Sequence, residues 1–191
     1  LTFSTFPLVG HKQNVESQAA GRVYLSILVG TSLMLFLPAI FWIWFQSGTL
    51  DFRSGGILEG KFPTEYLSFL VALLVFGIGK AAIMPIHRWL PAAMVAPTPV
   101  SALLHAVAVV KAGVFSFLVV VVYIIGPEYL FESKASYWLI WLASFTVLAS
   151  SIIAITKDDL KARLAYSTIS QLSYIILGVA LATTFAIKGA S

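Results

Sequence analysis

The sequence contains no cysteine among its 191 residues. Disulfides, thiol catalysis, iron–sulfur clusters and cysteine-based zinc sites are therefore excluded within the chain. Charge is nearly as scarce. Asp, Glu, Lys and Arg make up 10% of the residues, against roughly 25% in a soluble domain. Too few ionised groups remain to cover a water-facing surface. No basic run interleaved with aromatics and no Gly-rich phosphate loop is present, so the net charge of +4 does not mark a nucleic-acid face. No secretory leader pattern opens the chain either. With Leu1 in first position, it reads as an internal piece of a longer protein.

What is present is apolar: 59% of residues are hydrophobic and 14% aromatic, with a mean hydropathy of +0.94. The expected class is an all-α polytopic membrane protein, with residues 1–191 forming one transmembrane region embedded in a lipid bilayer. A crossing helix needs about 20 mostly apolar residues. Crossings are expected at residues 23–45, 66–96, 98–125, 136–156 and 164–187. Pro38 is expected to kink the first, whose end carries Trp42 and Trp44 as an interfacial belt. The second is irregular. Its length of about 31 residues would span ~46 Å as one helix, too long for a straight crossing. Pro85, Pro91, Pro97 and Pro99 instead predict two half-helices, broken near residues 85–89. Broken backbone at membrane depth survives only where protein or water satisfies its polar groups, and transporters place such breaks at ion sites.

Five crossings put Lys12, Arg22, Lys157, Lys161 and Arg163 on one side and Arg53, Lys61, Lys134 and Lys188 on the other. The positive-inside rule makes the first side cytoplasmic, by a margin of one residue.

Lys80 and Lys111 are the informative residues. Each lies about 13–14 residues from its expected helix start, roughly 20 Å along the axis and near the bilayer midplane. A lysine there needs a partner, a wet cavity or loss of its proton. A group that can be protonated or neutral beside water is what proton relay requires. The alternative is snorkelling, for which the side chain is too short from mid-depth. His105 lies on the Lys111 helix ~9 Å away along the axis and on a different face, so a water or side chain would have to bridge them. His87 and Arg88 fall in the expected break; His87 is a candidate relay group, and Arg88 reads as a cap on free carbonyls. Tyr166, Ser170 and Tyr174 recur on one helical face, with Gln171 beside them. They could hydrate a pathway, although such stripes more often hold membrane helices together. Histidines without carboxylates make a poor metal site, so no metal centre is expected. All eight acids fall in loops or at helix ends, leaving Lys80 without an intramembrane carboxylate in this chain.

Two stretches then carry a resemblance. The first spans residues 79–106 and includes Gly79-Lys80, His87-Arg88-Trp89-Leu90-Pro91 and Pro97-Thr98-Pro99-Val100-Ser101-Ala102-Leu103-Leu104-His105. The second spans residues 159–174 and includes Arg163-Leu164-Ala165-Tyr166-Ser167-Thr168-Ile169-Ser170-Gln171-Leu172. Both resemble the signatures of the antiporter-like proton-translocating membrane subunits of respiratory complex I and of Mrp-type cation/proton antiporters. The run Val109-Val110-Lys111-Ala112-Gly113-Val114-Phe115 looks most like the D-type member of the Mrp antiporter subunits.

The resemblance implies an inverted-repeat helix bundle in which Lys80 falls on the broken helix's central lysine. Lys111 and His105 match groups one helix later. A partner glutamate would precede Leu1, and a His/Lys-bearing helix would follow Ser191. It further implies a multisubunit complex that moves protons, with sodium as the exchanged cation, in a bacterial plasma membrane. No cofactor is implied: redox chemistry and any quinone would belong to partner subunits. Proton pumping within complex I or a related hydrogenase is the runner-up, and a non-transporting scaffold is the rival from another class. The activity would be ion translocation rather than chemical catalysis.

Overall fold

A computed structural model describes residues 2–9, 11, 14–104 and 109–185. The described residues are helical, with no strand among them. Helix α1 (Thr2–Val9) packs on α2 (Val15–Ser47), where the Thr5 and Tyr24 hydroxyls meet at 2.7 Å. Helix α2 contains a π turn at Ser32–Phe36, just before Pro38. A proline has no N–H to return to the preceding turn, and the widened turn absorbs that loss without ending the helix. Gly48 stops it, in a left-handed conformation (φ 73°) that closes onto the Trp44 carbonyl at 2.9 Å.

Helix α3 (Thr64–Gly77) follows, then the break. Short 3₁₀ turns at Gly79–Ala81 and Ile86–Arg88 lead into α4 (Trp89–Ala93) and α5 (Thr98–Leu103). Helix α6 (Val109–Ile125) ends in a second π turn. A short α7 (Pro127–Glu132) leads to an antiparallel pair, α8 (Tyr137–Thr156) and α9 (Leu160–Phe185).

The chain is turned outside-in relative to a soluble protein. Phe45 is 76% exposed, Trp141 79% and Ile155 79%. Groups buried between the helices include Ser17, Ser101, Thr146, Ser150 and Ser173. An apolar exterior of this extent is stable only against lipid or other protein. Helices α2, α8 and α9 are each long and apolar enough to cross a membrane, whereas α3 and α6 are shorter apolar helices.

Contacts sort the connections onto two ends. At one, Lys161 Nζ donates to the Ala96 carbonyl at 3.0 Å, tying the start of α9 to the turn between α4 and α5. At the other, the Ile57 amide donates to the Ile124 carbonyl at 2.9 Å, and the Tyr129 hydroxyl donates to the Phe62 carbonyl. The buried apolar side chains correspondingly form two clusters. One holds Ile43, Leu67, Leu74, Phe117 and Ile176; the other holds Tyr24, Leu28, Trp89, Val110 and Ile169.

Candidate functional site at a helix break

The break begins well before the first of the prolines that suggested it. Helix α3 stops at Gly77, so Lys80 stands on a 3₁₀ turn inside the break and not on a helix leading into it. Pro85 accounts for only part of this. Its ring excludes helix over the preceding turn, yet the ladder ends earlier than that, where glycines let α2 approach closely. A β-carbon at Gly77 would lie 2.6 Å from the Phe36 nitrogen, inside the π turn of α2. One at Gly79 would lie 2.5 Å from Thr31 Oγ1. Beyond the turn, Ala82 adopts a left-handed conformation (φ 54°) and the Met84–Pro85 bond is cis. Pro91 lies inside α4, Pro97 immediately precedes α5, and Pro99 sits in its first turn.

A buried indole ties the break together. Trp89 is fully buried, and its Nε1 donates to the Gly79 carbonyl at 2.9 Å. That oxygen also accepts from the Ala82 amide at 3.1 Å, so the indole reinforces the turn's own backbone bond. The Tyr24 ring meets the indole edge-on at a centroid distance of 5.7 Å. Burying a side chain of this size and pairing its N–H contributes about 2–4 kcal/mol against the exposed alternative.

Lys80 lies where the two apolar clusters meet: Ala81 belongs to one and Ala82 to the other. Thr31, Gly113 and Ser173 interrupt the apolar runs of α2, α6 and α9 at the same junction. Lys80 is half-buried and makes no ion pair among the described residues, whose acids all lie in loops or at helix ends. Two buried polar atoms nearby in the fold lack hydrogen-bond partners. Ser173 Oγ is one, on α9, which packs against the Gly79–Ala81 turn; His87 Nδ1, beside the Pro85 backbone, is the other. Buried atoms of this kind are where bound water is held.

The arrangement unites some of the expected residues and separates others. The His87 ring lies 6.1 Å from the Tyr166 ring, joining the break to α9. Ser170 Oγ meets Ser151 Oγ at 2.9 Å and belongs to the α8–α9 contact. Gln171 is exposed and Tyr174 is 67% exposed, so both face away from the break. Arg88 is also exposed. Lys80 and Lys111 lie on opposite sides of α6: Gly113 faces the Lys80 backbone, and Lys111, about 200° around the helix, is exposed. His105 lies outside the described residues.

Sequence reasoning missed Trp89, Gly113 and Ser173 as parts of this site. Their only signal was position, Trp89 within the proline-rich run and Ser173 within the polar stretch of α9.

Comparison with known proteins agrees with this architecture. Residues 1–191 match the family model described as NADH:quinone oxidoreductase/Mrp antiporter, TM. NAD(P)H-quinone oxidoreductase chain 5 of Synechocystis is 33% identical over 184 residues, covering 93% of this chain and 26% of that protein. NADH-quinone oxidoreductase subunit L of Campylobacter jejuni is 34% identical over 173 residues, covering 90% of this chain and 28% of that protein. The chain thus spans little more than a quarter of either relative's length. Among solved structures, the Mrp complex from Dietzia superposes with a TM-score of 0.77 at 29% identity, over 94% of this chain and 19% of that one. The membrane-bound sulfane sulfur reductase, an archaeal respiratory membrane complex, shares the fold with a TM-score of 0.74 at 24% identity, over 94% and 36% of the two chains. On the strength of the full-length match, this chain is a member of the NADH:quinone oxidoreductase/Mrp antiporter transmembrane family.

Proposed function

We propose that this chain is the part of a membrane subunit that moves protons, with Lys80 as the group that takes up and releases them. The observation that carries this is Lys80 on the broken backbone, half-buried, without an acidic partner among the described residues. An ammonium at membrane depth without a counterion is costly, so the position favours a group that exchanges its proton with water. His87 and Tyr166 line an approach along α9, on which Ser173 Oγ is a buried polar atom that water would satisfy. Lys111 is a second station, reached around α6 and not across it, with His105 as its companion from the sequence reading. Five crossings complete the transmembrane region, α3 and the break together making one of them.

The finer assignment is to a multisubunit sodium/proton antiporter of the Mrp type, working with other membrane subunits in a bacterial plasma membrane. The likeness to the Dietzia complex supports it. A second reading, a proton-pumping membrane-arm subunit of complex I, is favoured by the Synechocystis and Campylobacter relatives. Two measurements on membrane vesicles holding the intact complex separate these. Sodium added without an electron donor should dissipate a pH gradient under the first reading; under the second, proton uptake should require NADH oxidation. In either setting Lys80→Ala should abolish proton movement while native gels show full assembly. Normal flux from the assembled variant would leave the scaffold reading in its place.

A further inference from the structure

We infer that Gly113 and Trp89 are positioning residues for Lys80, holding the turn it projects from in a fixed slot between α6 and α4. This rests on Lys80 being the proton-exchanging group. The turn is held from two directions. From α6, Gly113 presents bare backbone: a β-carbon there would lie 2.6 Å from the Lys80 carbonyl carbon, 2.6 Å from the Ala81 nitrogen and 2.8 Å from Lys80 Cβ. Contacts this short with backbone cannot be relieved by a side chain swinging aside, so any larger residue at 113 must push the turn away. From α4, the Trp89 indole holds the Gly79 carbonyl, one residue before Lys80.

The two contacts fix different atoms of the same short segment. Gly113 sets how near Lys80 comes to α6; Trp89 sets where the chain enters the turn. Because Gly113 and Lys111 occupy opposite faces of α6, one helix supports Lys80 and carries the second lysine on its far side. A displaced turn would move the Lys80 amine relative to water and to every charge around it. The pH dependence of transport would then change along with its rate, which a purely architectural role would not produce.

The test uses the intact complex in sealed vesicles, with Gly113→Ala and Trp89→Phe measured beside Lys80→Ala. Gly178→Ala is the control, since a methyl there meets nothing within 4 Å. Assembly is scored on native gels, and proton flux per assembled complex is recorded across pH. Gly113→Ala and Trp89→Phe should each lower flux by about tenfold or more and displace the pH of half-maximal transport, while Gly178→Ala leaves both unchanged. Assembled variants with the parental rate and profile would overturn the inference. So would fewer complexes with an unaltered profile per complex. Should Gly113→Ala not assemble, Trp89→Phe decides alone, because it keeps an aromatic ring and removes the N–H. Unimpaired flux in Lys80→Ala would instead bring down the underlying functional reading.

Discussion

Two lysines that look alike in sequence have different surroundings. Lys80 sits on a 3₁₀ turn between two apolar clusters, whereas Lys111 is exposed on the outer face of α6 beside Phe115, which is 67% exposed. An exposed cation on an apolar helix cannot face lipid cheaply, so that face belongs against other protein or water. Replacing Lys111 with Met should reduce proton flux while leaving the pH profile of the remaining flux unchanged, because Lys80 keeps its surroundings; a displaced profile would show direct coupling of the two. Among the hydroxyls, Ser170 is bonded across α8–α9 and Ser173 is not bonded. Ser170→Ala should cost about 0.6 kcal/mol, the usual strength of a hydrogen bond between membrane helices, and leave transport intact. A double-mutant cycle with Ser151→Ala in a thermal unfolding assay would measure it. Ser173→Ala should do the reverse, sparing stability and slowing flux, if its hydroxyl holds water near Lys80. These roles were only partly legible beforehand. A lysine or histidine inside an apolar run announces itself by its cost, but which hydroxyl on a helix faces a neighbour depends on the packing of that neighbour.

At the scale of elements, the break shows what prolines can and cannot reveal. Pro85, Pro91, Pro97 and Pro99 predict a region without continuous helix, since each lacks an amide donor and constrains its predecessor. They did not locate the start of the break at Gly77. That boundary depends on two close backbone approaches, Gly77 to Phe36 and Gly113 to Lys80, on the Thr31 side chain against Gly79, and on a carbonyl that Trp89 also engages. Such contacts join segments far apart in sequence and leave no periodic trace. Pro38 likewise predicted a disturbed helix, and the disturbance took the form of a π turn that Gly77 packs against. Gly77→Ala should therefore destabilise the assembled protein by about 1–3 kcal/mol, as overpacking in a dense interior does, read as a lowered unfolding midpoint in detergent. Gly30→Ala, in the same helix as the π turn but with nothing within 4 Å of the added methyl, should shift it little.

At the scale of the whole molecule, two sets of connections close the ends of the bundle, and Lys80 lies between the two apolar clusters they enclose. The Lys161 amine on the Ala96 carbonyl is the clearest fastening at its end. Lys161→Met keeps the apolar stem and removes the donor, so it should cost about 1–2 kcal/mol and increase protease access to the turn between α4 and α5. Unchanged cleavage would show that helix packing alone holds that end. The membrane class was already determined by composition, because a chain with 10% charged residues cannot present a polar surface to water, and the α class by apolar runs long enough to cross as helices. The ordered motifs around Lys80 and Tyr166 likewise determined the family, since residue identity at fixed spacing survives without any knowledge of packing. Only the tertiary structure decided that Lys80 stands inside the break, that Lys111 faces the other way, and that His87 meets Tyr166. Composition and local propensity act along the chain, whereas each of those placements comes from segments distant in sequence meeting in space, for Lys80 where Gly113 leaves room for its backbone.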